Sequence, residues 1–358
     1  MLALRLARGS RPVVQLRRLL VAAASAGTGF LLLYVLVGAV DRPAGSFPRL
    51  LWALVPLAAT VHFAVAVARA DPATRPREGL DAAGLGPVRL TLAAAISTAV
   101  SCTLGSALAL AVFLHLRGDL AGLPFDGSGA RLLHAEQPLP LAAALTLLGL
   151  VPVTASAATV LALRPHRPLA PQTALPWGIA LTACGLAVEA YAGRDGGGVL
   201  AGWALTAVGL ALAGPGLAYA CGSLVQAVRP GALRLLAGRS LQEQASRIGP
   251  PLGVLCSVAA GALTALALRD RGGLHVPLGP LAWPAAALVA LCAAATLLTS
   301  AVEGRGSGAA GREAALLDLA APARVLRTAA GLRATALVAV CLPLSWGVAQ
   351  LTSLALTR

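Results

Sequence analysis

Long uncharged stretches decide the fold class of this chain before any motif is considered. Leu19–Val40, Leu139–Leu163 and Leu281–Val302 each run for more than twenty residues without an acidic or basic side chain. About 20 apolar residues in a helix cross the ~30 Å hydrocarbon core of a bilayer. The runs are continuous rather than alternating, which excludes a lipid-facing β-barrel, whose strands must switch character at every residue. Only 12% of the chain is charged and 58% is hydrophobic, against roughly 25% charged in a soluble domain. The chain therefore reads as an all-α polytopic membrane protein.

Taken in order, the pattern predicts about nine spans: Leu19–Val40, Leu50–Ala68, Leu90–Leu116, Leu139–Leu163, Pro176–Ala192, Val199–Val228, Pro250–Leu268, Leu281–Val302 and Ala334–Leu356. The basic lead-in, residues 1–18, and the length of the first run argue for a retained first helix rather than a cleaved signal peptide. All 28 basic residues are arginine. With the N-terminus in the cytoplasm, twenty of them fall in cytoplasmic segments and eight in outer ones, the bias that orients membrane proteins. The expected location is a bacterial cytoplasmic membrane, multi-pass. The net charge of +14 is spread along span flanks without interleaved aromatics, so nucleic acid is not an expected partner.

Two cytoplasmic inserts carry a matched pattern. In Pro76–Leu90 and again in Gly311–Arg327, Arg-Glu is followed nine residues after the Glu by Pro and eleven after by Arg: Glu78, Pro87 and Arg89, then Glu313, Pro322 and Arg324. Proline has no N–H to give, so it suits the first turn of a helix better than its middle. Each insert is thus expected to form a short surface helix bent into the transmembrane helix that follows. The lead-in at Leu6–Arg18 resembles Leu236–Arg247, and each precedes a span, an outer turn, a span and an insert. The chain reads as two parallel repeats, 1–170 with four spans and 229–358 with three, around a two-span connector at 171–228. Parallel repeats are common in transporters.

Arg-Glu, apolar residues, then Gly-x-x-Arg resembles the cytoplasmic motif of FtsX-like ABC transporter permeases. Arg77, Glu78, Leu80, Gly86 and Arg89 match in the first copy; Arg312, Glu313, Leu316, Leu317 and Arg324 match in the second, where Ala321 replaces glycine. The chain departs from the family in Asp81, in the short first outer turn and in lacking a tenth span. The resemblance implies a divergent, duplicated permease without a large extracytoplasmic domain. It would couple ATP hydrolysis by a separate ATP-binding subunit to movement of a substrate. Arg77, Glu78, Gly86, Pro87, Arg89, Arg312, Glu313, Leu316, Leu317, Pro322 and Arg324 would dock on that subunit, and a second permease copy or a heterologous partner would complete the assembly. The chain itself has no phosphate loop, whose essential lysine it lacks altogether. Without the resemblance, both inserts read as solvated loops obeying the positive-inside bias.

Glu189 is the acid that falls within a predicted span, four residues from an outer turn. Intramembrane acids mark ion and proton pathways, although so near the turn the side chain can simply reach the interface. It defines the competing reading of an ion-coupled secondary transporter; a third is a non-transporting scaffold or sensor. His62 has no second ligand at metal spacing and reads as a packing residue. The six cysteines form no Cys-x-x-Cys pair and read as small buried hydrophobes. Asp126, His134 and Glu136 read as a polar outer loop. No metal, cofactor or enzymatic constellation is expected. Small residues at Gly105–Ala109 and Gly209–Ala213 point to close helix packing.

Overall fold

The computed structural model describes residues 12–41, 46–71, 87–120, 126–164, 173–192, 196–227, 231–270, 281–307 and 323–357. They are helical apart from short turns and one loop, and no strand occurs among them. The helices are α1 (Pro12–Asp41), α2 (Ser46–Ala70), α3 (Pro87–Arg117), α4 (Leu141–Leu163), α5 (Ala174–Ala192), α6 (Gly196–Ala227), α7 (Ala232–Asp270), α8 (Ala282–Ser307) and α9 (Ala323–Thr357). Among the described residues, all nine contain a stretch long and apolar enough to cross a membrane. The protein is an all-α polytopic membrane protein.

Two helices run well beyond the spans read from sequence. The expected seventh span began at Pro250, with the basic segment before it taken as a cytoplasmic connection; α7 instead starts at Ala232 and passes straight through Pro250 and Pro251. The carbonyls that lose their partners to these prolines belong to Ser246 and Arg247, both exposed, so water or headgroups can satisfy them. Ala237, Leu241 and Ala245 are buried at four-residue spacing, which gives the extension an apolar face. At ~1.5 Å per residue, the 39 residues of α7 reach about 58 Å, nearly twice a bilayer core. Helix α9 likewise starts at Ala323, directly after Pro322, rather than near Ala334.

The chain packs as two compact units. Unit 1 comprises Met1–His166 and Pro280–Cys292; unit 2 comprises Arg167–Gly279 and Ala293–Arg358. In unit 1, α1 lies against α3 and α2, with α4 closing the bundle. Gly105 is why α1 and α3 approach so closely: a Cβ there would stand 2.2 Å from the carbonyl oxygen of Ala22. At the same crossing the Ser25 hydroxyl donates to the Cys102 carbonyl at 2.8 Å, and Thr28 and Thr60 share a hydrogen bond of 2.7 Å between α1 and α2. Leu33, Val37, Phe113 and Leu148 form the adjoining core, where Phe30 meets Phe113 edge to face at 5.5 Å.

The end of this bundle is capped by the loop at 126–140. Leu133 drops into the core, and the Gly129 N–H donates to the Leu116 carbonyl at 2.9 Å. The buried Arg117 guanidinium, at the end of α3, donates to the carbonyls of Ala135 and Gln137. The segment read as a polar outer loop is therefore fastened to the helices beneath it.

In unit 2, α6 is gripped on two faces. Against α5, a Cβ on Gly178 would lie 2.5 Å from the Ala213 nitrogen, and one on Gly209 would lie 2.5 Å from the Thr182 nitrogen. Against α7, a Cβ on Gly214 would lie 2.1 Å from the Gly249 carbonyl oxygen, and one on Gly253 2.3 Å from that of Leu210. Lipid supplies no hydrophobic drive between helices, so small residues that let backbones touch are what hold such bundles together. Helix α9 completes the unit by packing on α7, α5 and α6.

Candidate functional site

The coupling residues named from sequence fall mostly outside the described residues. Arg77, Glu78, Gly86, Arg312, Glu313, Leu316, Leu317 and Pro322 are among those not described; Pro87 and Arg324 are described only as helix backbone. What surrounds the inserts is nevertheless informative. Pro87 is the first residue of α3, and α9 starts immediately after Pro322. Arg89 stands exposed in the first turn of α3. Both inserts thus open directly into unbroken helices of 31 and 35 residues.

The near end of the first insert is tied down. Arg18 of α1 pairs with Asp71, just past α2, at 2.8 Å. Arg69, in the last turn of α2, donates to the Ala162 carbonyl at 3.3 Å, where the exposed carbonyls of α4 attract a cation. A cavity of about 20 Å³ lies beside Arg18 and Asp71, lined also by Ser97, Thr98 and Ser101. Half of its lining is apolar, from Val21, Ala64, Val67, Ala68 and Ala94, and it is large enough for a water molecule.

The sequence leaves two readings of Glu189, an intramembrane polar site or a side chain that reaches the interface. Rather than reaching an interface, its side chain is wholly buried in the last turn of α5. The Thr206 hydroxyl of α6 donates to Oε1 at 3.2 Å, and Thr352 of α9 adjoins the same carboxyl. Both threonines are buried, and Oε2 makes no hydrogen bond in the structure. The room for this cluster comes from two glycines. A Cβ on Gly202 would lie 2.5 Å from Glu189 Cγ, and one on Gly185 would lie 2.3 Å from Thr206 Oγ1. The arrangement can hold a proton on the carboxyl or accept a hydrogen bond at its free oxygen.

Other polar groups converge in ways the sequence did not announce. Cys256 of α7 and Cys341 of α9 are neighbours, with Ser345 and Cys221 close to them. Read singly, each was a small hydrophobe; only the packing of three helices brings them together. Gln226 of α6 packs over Gly238 of α7, and Gln242 of α7 packs over Gly222 of α6. His62 lies on an exposed face of α2 rather than in the packed interior. Among the described residues, no group of three His, Cys, Asp or Glu side chains is arranged to hold a metal ion. Thr206 and Thr352 escaped sequence reading because threonine is common in membrane helices, and only proximity to Glu189 distinguishes these two.

Fold and site together define the class: a multi-pass helical membrane protein with one buried carboxyl, held among threonines, in one of its two packing units. Compared with known proteins, the chain matches no family model, no curated protein and no solved structure.

Proposed function

We propose that the chain is the membrane-spanning subunit of an ATP-driven transporter in a cell membrane, with the ATPase on a separate chain. One observation carries the reading. Two inserts with the same Glu, Pro and Arg spacing each feed, at the proline, into a long helix without a break. A helix is stiff along its axis, so a displacement at Arg89 or Arg324 is carried to the far end of α3 or α9. The ties from Arg18 to Asp71 and from Arg69 to Ala162 keep the end of α2 in place, so that a push on the first insert acts on α3. The resemblance of the inserts to the FtsX-like motif supplies the identity of the pushing partner, an ATP-binding subunit, and the missing lysine keeps the phosphate chemistry on that partner.

The test is whether the full chain, purified from its own membranes, co-elutes with an ATP-binding protein that carries a phosphate loop. The pair is expected to co-elute, and the double variant Glu313→Ala/Leu316→Asp is expected to lose the partner while keeping its own elution profile. Association unchanged in the double variant removes the docking role of the second insert.

A further inference from the structure

We propose that Glu189, held between Thr206 and Thr352, is a proton-exchange site inside the helical bundle of unit 2. This does not rest on the coupling role of the inserts. A buried acid within a membrane-spanning helix is costly and marks a functional candidate. The groups that face Glu189 from the elements packed on α5 are Thr206 of α6 and Thr352 of α9. Neither titrates, and among the described residues no cation pairs with the carboxyl.

The geometry serves both states of the acid. The Thr206 hydroxyl donates to Oε1 whether or not the carboxyl carries a proton. Oε2, which makes no hydrogen bond in the structure, can carry the acid proton and donate toward Thr352. When it is ionised, the Thr352 hydroxyl can rotate and donate to it instead, since a hydroxyl is both donor and acceptor. The step is a simple exchange: the carboxylic acid gives its proton to water, leaving a carboxylate and hydronium, and the reverse restores it.

Access is short. Glu189 is one turn from the end of α5 at Ala192, about 4.5 Å along the axis. Tyr191 in the same turn is 95% exposed. The glycines explain how the site survives close packing. Gly185 and Gly202 leave space for two polar side chains between helices that elsewhere touch backbone to backbone. Because Thr352 rides on α9, a shift of that helix would change what Oε2 can reach.

The experiment uses the full chain in lipid vesicles and dicyclohexylcarbodiimide, an apolar reagent that adds to protonated carboxyls. The carboxyl proton passes to a carbodiimide nitrogen as the carboxylate oxygen bonds to the central carbon, with no leaving group. The adduct is mapped by peptide mass. Glu189 is expected to be modified, with a rate that falls tenfold or more from the acid to the alkaline end of the pH range over which the chain stays folded, as the reactive acid form is depleted. Glu189→Gln is expected to remove the label from that peptide. A Glu189 left unmodified across this range, or modified at a pH-independent rate, overturns the proposal. Infrared spectra of the unaltered chain give a second reading. A protonated-carboxyl band that shifts in D₂O and is absent from Glu189→Gln supports exchange, and one that refuses to shift in D₂O overturns it.

Discussion

At the residue scale, the glycines sort into two kinds by what a side chain would meet. Gly202 and Gly105 stand where a Cβ would run into a neighbouring helix, whereas Gly149 of α4 has nothing within 4 Å. Gly202→Val is therefore expected to lower stability by about 1–3 kcal/mol, the usual range for overpacking. Gly149→Ala should raise it by roughly 0.5–1 kcal/mol, because alanine is the better helix former. Reversible unfolding of the two variants in mixed detergent, followed by tryptophan fluorescence, gives both signs in one assay. Arg117 makes a different case. Its guanidinium is buried and holds the loop through Ala135 and Gln137. Arg117→Ala should release residues 126–140, read as faster limited proteolysis within that loop while the helices stay intact. Sequence displayed both residue types but not their jobs. Glu189 could be picked out because an acid in an apolar run is conspicuous. Thr206 and Thr352, 17 and 163 residues away, became visible only when the helices came together.

At the element scale, sequence placed the spans well where a charged flank marked the end. It did not show that the basic segment before the seventh span continues as helix. The stretch at 232–249 carries arginines, a glutamate and two glutamines, which read as a connection. Yet Ala237, Leu241 and Ala245 give it a buried face, a four-residue period that charge content had masked. Paired prolines helped to hide this, since one proline normally starts a helix and two in the middle would be expected to end it. The unbroken run of α3 from Pro87 gives an expectation that follows from the coupling proposal. Inserting two glycines after Arg89 should soften the link between insert and span. The variant should still bind the ATP-binding subunit but lose most of the substrate-dependent stimulation of ATP hydrolysis. Full stimulation in the variant would show that α3 transmits nothing.

At the scale of the whole molecule, arginine placement makes a topological statement that can be read chemically. With the N-terminus inside, cysteines introduced at Ala44 and Gly272 should react with a membrane-impermeant maleimide in whole cells. Cysteines at Ala73 and Gly231 should react only after permeabilisation. The native thiols at Cys102, Cys221, Cys256 and Cys292 are buried, and the two others can be replaced by alanine to lower the background. Reversed labelling would invert the protein and with it the side on which the inserts lie. Polytopic character was legible throughout, because bilayer thickness imposes a length on apolar runs that composition alone reveals. The division into two packing units was not, because it depends on which small residues meet across helices far apart in the chain.

Helix α6 has a consequence for how the protein breathes. Its backbone is in contact with α5 along one face and with α7 along another, at Gly178, Gly209, Gly214 and Gly253. No side chain can swing aside there to loosen one contact while the other holds. An amide in the middle of α6 can meet solvent only when both neighbours withdraw together, which makes opening a concerted event rather than a local fraying. Deuterium uptake should therefore be slowest between Leu205 and Ala218, slower than in the more apolar α4, which lacks such a grip on both sides. In that sense α6 sets the clock of unit 2.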